Sequence, residues 1–403
     1  MPTTTVGMEL NDLLRRAVDA GASDIHLKLD RPPMLRRDGS VAPLEGVDPL
    51  TEADLDAYLR TVTAIAPQRY DLYHESGDLD IAYTAGDLPR FRVNAFRQRG
   101  ATSFALRVIP KNVPRFEDLG LPDGIRALAE EHRGLVLVTG ATGSGKTTTL
   151  AAMIDYINRA RQSHIVTIED PIEILHPDHQ SIVNQREIGL DTENFGQALR
   201  RALRQDPDTI LIGELRDAET AQTALQAAES GHLVFSTLHT VDAAETIGRM
   251  IEFFPEGKQI QIRSIMAGVL RGVVSQRLLP RLGGGRVAAV EVMITNSRIA
   301  DLIRENKPEE ITDAIAEGEF FKMQTFQKAL IDKVLDGTID RDVAANASSS
   351  RHDFMVALEL AEKSQAAGLD HNASSSAMVH EPEPVAAPQP EPELSLRLAP
   401  LGD

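Results

Sequence analysis

Across residues 10–20 the apolar positions recur at helical spacing. Gly21 then stops the helix ahead of Asp24-Ile25-His26-Leu27-Lys28-Leu29, which alternates like a half-buried strand. Asp38-Gly39 reads as a hairpin turn, Thr51 as the N-cap of a helix running through Leu59, and residues 79–108 as several strands broken at Gly86-Asp87 and Gly100. Together these predict a small α+β unit. Residues 110–122 carry three prolines and little apolar periodicity, which places a linker there. Beyond it come four apolar runs, Leu135-Val136-Leu137-Val138, Ile165-Val166-Thr167-Ile168, Thr209-Ile210-Leu211-Ile212 and Leu233-Val234-Phe235, separated by helical stretches. Strands apolar on both faces belong to a buried parallel sheet. After residue 242 the pattern is mainly helical, with Gly283-Gly284-Gly285 turning into a strand over 287–293 and helices near 299–304, 308–317 and 325–335. Residues 364–403 hold six of the 22 prolines among acidic residues and serines, too little apolar surface to order itself.

The chain therefore divides into an N-terminal α+β domain (1–110), a linker (111–122), an α/β domain (123–345) and a Pro/Glu-rich tail (346–403) expected to be disordered. Its 403 residues and 42% hydrophobic content suffice for two or three cores. The absence of cysteine excludes disulfides, thiol chemistry and cysteine-ligated zinc or iron–sulfur sites. Residues 1–10 lack the basic start and apolar stretch of a signal peptide, and no stretch approaches the ~20 apolar residues that span a bilayer. The expectation is a cytoplasmic protein able to dock on a membrane. A net charge of -18, no tryptophan and only 4% aromatics argue against nucleic acid as a partner.

The chemistry-bearing residues lie in the second domain. Gly140-Ala141-Thr142-Gly143-Ser144-Gly145-Lys146-Thr147 fits the P-loop pattern in full, between a strand and a helix, with Thr148 following. Such a loop wraps phosphate oxygens with its own N–H groups, and a Cβ would block the angles or the close approach. On this logic Lys146 reaches the β and γ phosphates of ATP, and the Thr147 hydroxyl ligates Mg²⁺. The strand 209–212 runs into Gly213-Glu214, a Walker B-like end whose Glu214 would face the metal; an ordinary strand-end carboxylate is the plain alternative. Glu169-Asp170-Pro171-Ile172-Glu173 places three carboxylates after the strand 165–168, and spacing alone does not say which could polarise a water. His232 and His239 bracket the strand 233–235. Their separation matches no common zinc spacing, so a γ-phosphate sensor is the better reading.

Ala22-Ser23-Asp24-Ile25-His26-Leu27, the P-loop, the acidic segment 164–176, the segment through Asp217 and the segment 231–240 together resemble the secretion ATPase superfamily, and within it the type IV pilus retraction ATPases of the PilT family. The resemblance spans about residues 8–345. It implies an α/β fold in which a small PAS-like α+β N-terminal domain joins a RecA-like P-loop ATPase domain with a helical C-terminal part. It makes Glu173 the catalytic glutamate, Glu214 the Walker B glutamate, and His232 and His239 a histidine pair. It also implies arginines that approach the nucleotide from the first domain, with Arg92 and Arg107 as candidates among Arg90, Arg92, Arg97 and Arg107; a solvent-facing strand is the alternative for each.

The resemblance further implies a homohexameric motor using ATP and Mg²⁺, located in the cytoplasm at the inner membrane at the pilus base. Its implied partners are the pilus platform protein and a second retraction ATPase. The short N-terminal region and the lack of a four-cysteine site favour retraction, and residues 298–305 resemble the short helix that retraction ATPases need for retraction, keeping Leu302-Ile303-Arg304-Glu305 and departing at Asp301 and, just before the segment, at Ser297. Within the class, a pilus assembly, type II secretion or type IV secretion hub ATPase is the competing expectation. A nucleotide-dependent scaffold with little turnover and a RecA-like DNA motor are the competitors outside it. For the last, Arg200-Arg201-Ala202-Leu203-Arg204 is the notable basic cluster, explained more simply as a solvated or subunit-contacting face.

Overall fold

The computed structural model of the protein describes residues 8–37, 39–109 and 113–366. The described residues through Ser349 form one compact unit, and those from Ser350 form another.

The first helix, α1 (Leu10–Asp19), buries Leu10, Leu13, Leu14 and Ala17, the i, i+3, i+4, i+7 stripe of a helix lying on a core. Strands β1 (Asp24–Lys28), β2 (Met34–Arg37) and β3 (Ser40–Pro43) follow. Helix α2 (Glu52–Thr63) starts in a capping box: the Asp54 N–H donates to the Thr51 side chain, and the Thr51 N–H donates to Asp54 Oδ2 at 2.8 Å. After α3 (Gln68–Ser76) come β4 (Asp78–Tyr83), β5 (Arg90–Gln98) and β6 (Ala101–Ile109). Among the described residues these six strands make one antiparallel sheet, ordered β3-β2-β1-β6-β5-β4. Phe91, Val93 and Ala95 of β5 point into a core shared with α1, α2 and α3. The alternate residues Arg90, Arg92 and Asn94 therefore take the other face. Cross-strand register adds Arg107, opposite Arg92, and Asp24, opposite Arg107, to that polar face.

Two short helices, α4 (Phe116–Leu119) and α5 (Asp123–Ala129), lead into the second sheet. It is built from β7 (Gly134–Thr139), β8 (His164–Glu169), β9 (Ile182–Glu187), β10 (Thr209–Ile212), β11 (Leu233–Leu238), β12 (Leu270–Pro280) and β13 (Arg286–Ile294), in the order β13-β12-β7-β11-β10-β8-β9. All neighbours are parallel except β12 and β13. Leu135 and Leu137 enter one core while Val136 and Val138 enter the other, as period-2 alternation demands of a sheet covered on both faces. The covering helices are α6 (Lys146–Ala160), α7 (Phe195–Ala202), α8 (Ala218–Glu229), α9 (Ala243–Glu252) and α10 (Glu256–Val269). Then α11 (Ser297–Glu305), α12 (Ile311–Ala316), α13 (Phe326–Leu335) and α14 (Arg341–Ala347) complete the helical part.

Several expectations need correction. The stretch read as mainly helical after residue 242 contains the eleven-residue β12, whose alternation is hidden by the apolar run Leu278-Leu279 and the preceding helix. Strand β9 was not foreseen because Ile-Val-Asn-Gln-Arg-Glu is a polar edge. The helix expected over 308–317 is split, with a 3₁₀ turn over Pro308–Glu310 before α12. Within the tail expected to be disordered from residue 346, residues 351–366 form α15 (Arg351–Ala366), a segment free of Pro and Gly and rich in Ala, Leu and Glu, while residues 367–403 lie outside the described residues. The prolines of the tail, the Asp38 half of the expected hairpin turn and linker residues 110–112 lie outside the described residues. No helix among the described residues is long and apolar enough to cross a membrane.

Candidate functional site

In a parallel sheet, ligands collect at the carboxyl edge of the strands. Here that edge is where β7, β8, β10 and β11 each deliver a candidate residue. After β7 the chain enters the glycine loop, and α6 begins at Lys146 with Gly145 at φ +94 as its N-cap. A Cβ on Gly140 would lie 2.3 Å from the Gln276 carbonyl oxygen, and one on Gly145 would lie 2.7 Å from Gln276 Nε2. The loop is thus pressed against β12, and only glycine fits. Gln276 is buried, and its Oε1 accepts the Thr149 hydroxyl at 2.9 Å. Sequence reasoning missed Gln276, whose role arises from the pairing of β12 with β7 and leaves no local signal.

Lys146 Nζ donates to the carbonyls of Gly140 at 2.7 Å and Ala141 at 3.1 Å. Burial pushes its ammonium below the usual lysine range, while the charges of Glu214 and Glu173 pull the other way. Both carboxylates therefore sit close enough to act on the lysine. A cavity of about 530 Å³ opens here, lined by Thr142, Gly143, Gly145, Lys146, Thr147 and Thr148 of the loop and by Glu173, Glu214, His239 and Arg107. Ser144 is buried beneath the loop, its hydroxyl without a hydrogen-bond partner. A larger hollow of about 790 Å³ shares Glu214, Arg216 and His239 but is otherwise walled by α9, Pro308 and Glu309. It lacks the glycine loop, which lines only the smaller cavity of the two.

The three carboxylates after β8 separate into distinct roles. Glu169 is buried and accepts from Thr167 Oγ1 at 2.6 Å and Gln185 Nε2 at 3.0 Å, and burial raises its pKa. It is a structural acid. Asp170 stands 3.7 Å from Arg216 Nη1. All three line the cavity, where Asp170 and Glu173 are exposed and Glu173 is the one without a salt-bridge partner among the described residues. Its two neighbours are pinned by β9: the Ile172 N–H donates to Glu187 Oε2 at 3.2 Å, and Gln185 Nε2 donates to the Ile174 carbonyl at 2.9 Å. Glu214 holds His239 Nε2 at 3.1 Å through one oxygen and Arg216 Nε at 2.9 Å through the other.

The two histidines part company. His239 follows β11 at the carboxyl edge, whereas His232 precedes it at the opposite edge. There Nδ1 stands 3.0 Å from the Ala227 carbonyl, and the His232 carbonyl accepts from the Gly134 N–H at the start of β7. A six-residue strand rises roughly 20 Å, so the pair does not act together in one chain.

From the first sheet, Arg107 reaches the cavity wall while paired with Asp24 Oδ1 at 2.8 Å, and it is 66% exposed. Arg92 stands opposite it in register and is exposed, but does not line the cavity. Arg286, at the start of β13, also lines it and was missed. Its position just after the glycine turn was the available hint.

The profile of the family described as type II/IV secretion system protein matches residues 4–284. The chain is 44% identical over 347 residues to the type IV pilus retraction ATPase PilT of Pseudomonas aeruginosa, covering 86% of this chain and all of that protein. It is 43% identical over 314 residues to a twitching motility protein of Neisseria gonorrhoeae, covering 77% of this chain and 83% of that protein. The crystal structure of the pilus retraction motor PilT with bound ADP superposes with a TM-score of 0.80 at 44% identity, over 86% of this chain and 98% of that one.

Proposed function

The chain belongs to the secretion ATPase family, and within it to the PilT family of type IV pilus retraction ATPases; from that premise we propose that it works as a homohexameric motor that hydrolyses ATP to retract type IV pili and drive twitching motility. The observation that carries the reading is the convergence on one cavity of the P-loop, Glu173, Glu214 and an arginine from the other sheet.

The N–H groups of residues 140–147 and the start of α6 cradle the phosphates. Lys146 exchanges its two loop carbonyls for the β and γ oxygens. Glu173, held on both sides by β9, orients and polarises the attacking water. His239, resting on Glu214, reports the γ-phosphate to β11 and α9. The donor set suits Mg²⁺: a Thr147 hydroxyl and a Glu214 carboxylate give hard oxygens. Among the described residues no cluster of three or more acids or histidines forms an all-protein cage, which is how this ion is held when phosphates complete its shell. Thr147 and Glu214 would hold Mg²⁺, which when bound would neutralise charge developing on the phosphates.

Arg107 presents positive charge to the transferring group, and Arg92, on the same outward face, serves the nucleotide of a neighbouring subunit. ATP favours a closed arrangement of the two sheets, and hydrolysis releases it. Sequential closure around the ring moves a platform protein at the cytoplasmic face of the inner membrane, alone or beside a second retraction ATPase. Nucleic acid is not a partner of so acidic a chain.

The test is deletion of the gene in its host, with complementation by the native chain and by Glu173→Gln. The reading expects surface pili to accumulate and motility to fail, with rescue by the native chain alone. Disappearance of pili would make the chain an assembly motor.

A further inference from the structure

The two sheets are joined by a buried ion pair that the nucleotide cavity does not use. Arg90 Nη2 of β5 lies 2.5 Å from Glu187 Oε2 of β9, with side chains only 15% and 5% exposed. The same Glu187 oxygen accepts the N–H of Ile172, the residue before Glu173. Two residues earlier on β9, Gln185 holds the other side of Glu173 through the Ile174 carbonyl, and its Oε1 accepts the His176 N–H at 2.8 Å. Just beyond β9, the Gly189 carbonyl accepts from Arg69 of α3. The first sheet and its helices thus grip the end of β9 at two points, and β9 in turn fixes the loop that carries Glu173.

We propose that Arg90 and Glu187 are positioning residues for ATP hydrolysis: their ion pair transmits the posture of the first sheet to Glu173, so that Glu173 is aligned only when the two sheets are engaged. The proposal rests on the reading of Glu173 as the water-orienting carboxylate. Its physical basis is that the pair is desolvated. Removing the guanidinium leaves a buried carboxylate uncompensated, and that carboxylate must leave its place or take up a proton. Either way, the acceptor holding Ile172 is disturbed. Neither residue lines the cavity, so nucleotide affinity is left intact.

The experiment compares the full-length native protein with Arg90→Ala, Arg90→Lys, Glu187→Gln and Glu173→Gln. The readouts are kcat, KM for ATP, affinity for ADP, and hydrogen exchange at the Ile172 and Glu173 amides. A misplacement of about 1 Å at a reacting group costs on the order of 100-fold. The expectation is therefore that Arg90→Ala and Glu187→Gln lower kcat roughly 10- to 100-fold, leave KM and ADP affinity within about twofold, and speed exchange at Ile172. Arg90→Lys, keeping the charge, recovers part of kcat. Should Arg90→Ala fail to fold, Glu187→Gln, which keeps the side chain's shape but loses the ion pair and offers Ile172 only a weaker, neutral acceptor, carries the test. Native kcat in these variants, or kcat and ADP affinity falling together, overturns the coupling. Retained turnover in Glu173→Gln instead overturns the reading of Glu173, a different result from loss in Glu173→Gln with native kcat in Arg90→Ala.

Discussion

Glu291 gives a stability prediction with a definite sign. It sits on β13, only 4% exposed, where its Oε1 accepts the N–H of Ala243 at the start of α9 at 2.9 Å, and the backbone of Phe326, first residue of α13, also bonds to it. Burial pushes its carboxyl up to about 7 against these helix-terminal donors. In the unfolded chain it titrates near 4.5. Between those values the folded state holds about one more proton than the unfolded state, so stability is fully present below pH 4.5 and is lost as pH rises through 7. At about 1.36 kcal/mol per pH unit the loss amounts to roughly 3 kcal/mol. Glu291→Gln removes the titration while keeping one acceptor. Losing the second acceptor costs about 1 kcal/mol at every pH and so cancels from the slope. Urea unfolding of both proteins, at one fixed protein concentration from pH 5 to pH 8, should show the native chain losing about 2.5 kcal/mol relative to the variant, part of the full loss lying below pH 5. Parallel curves would refute the account, because no other substitution-linked group changes between the two chains.

Lys146→Ala should weaken ADP binding by about 1.5–3 kcal/mol, the worth of a charge-assisted contact, measured by titration calorimetry; unchanged affinity would remove Lys146 from the phosphate site. Gln276→Leu strands the Thr149 hydroxyl beneath the P-loop and should lower unfolding stability by about 1–3 kcal/mol, with a near-zero change showing that β12 does not brace the loop through this side chain.

What could be read from the residue order was whatever short-range chemistry encodes. The P-loop announces itself because wrapping a phosphate needs glycines at fixed spacing, and the four parallel strands announce themselves because burial on both faces leaves unbroken apolar runs. The capping box at Thr51 and Asp54 was half visible for the same reason: both partners lie within one helical turn. Strand β9 was illegible because an edge strand with a polar side carries no such run. The contacts of Gln185, Glu187 and Gln276 were illegible because each has its partner far away in the chain, on a paired strand (Glu169 for Gln185), on the other sheet (Arg90 for Glu187) or on a covering helix (Thr149 for Gln276).

The histidines show how strand direction settles what residue type leaves open. His232 and His239 are alike in sequence, each one residue outside the same apolar strand, and a reading by type treats them as a pair. The parallel ladder gives that strand a direction. Its carboxyl end lies beside the exit of β7, where the glycine loop begins, and its amino end lies beside Gly134, where β7 starts. Only the residue leaving the strand lies beside the glycine loop; the residue entering it ties the end of α8 to the sheet through Ala227. The same rule orders Glu173 after β8 and Glu214 after β10. One sheet edge thus gathers Glu173, Glu214 and His239 beside the glycine loop, while Gln185, Glu187 and Gln276, which bond to the segments around them, lie on the flanking strands β9 and β12, which reach the edge from either side.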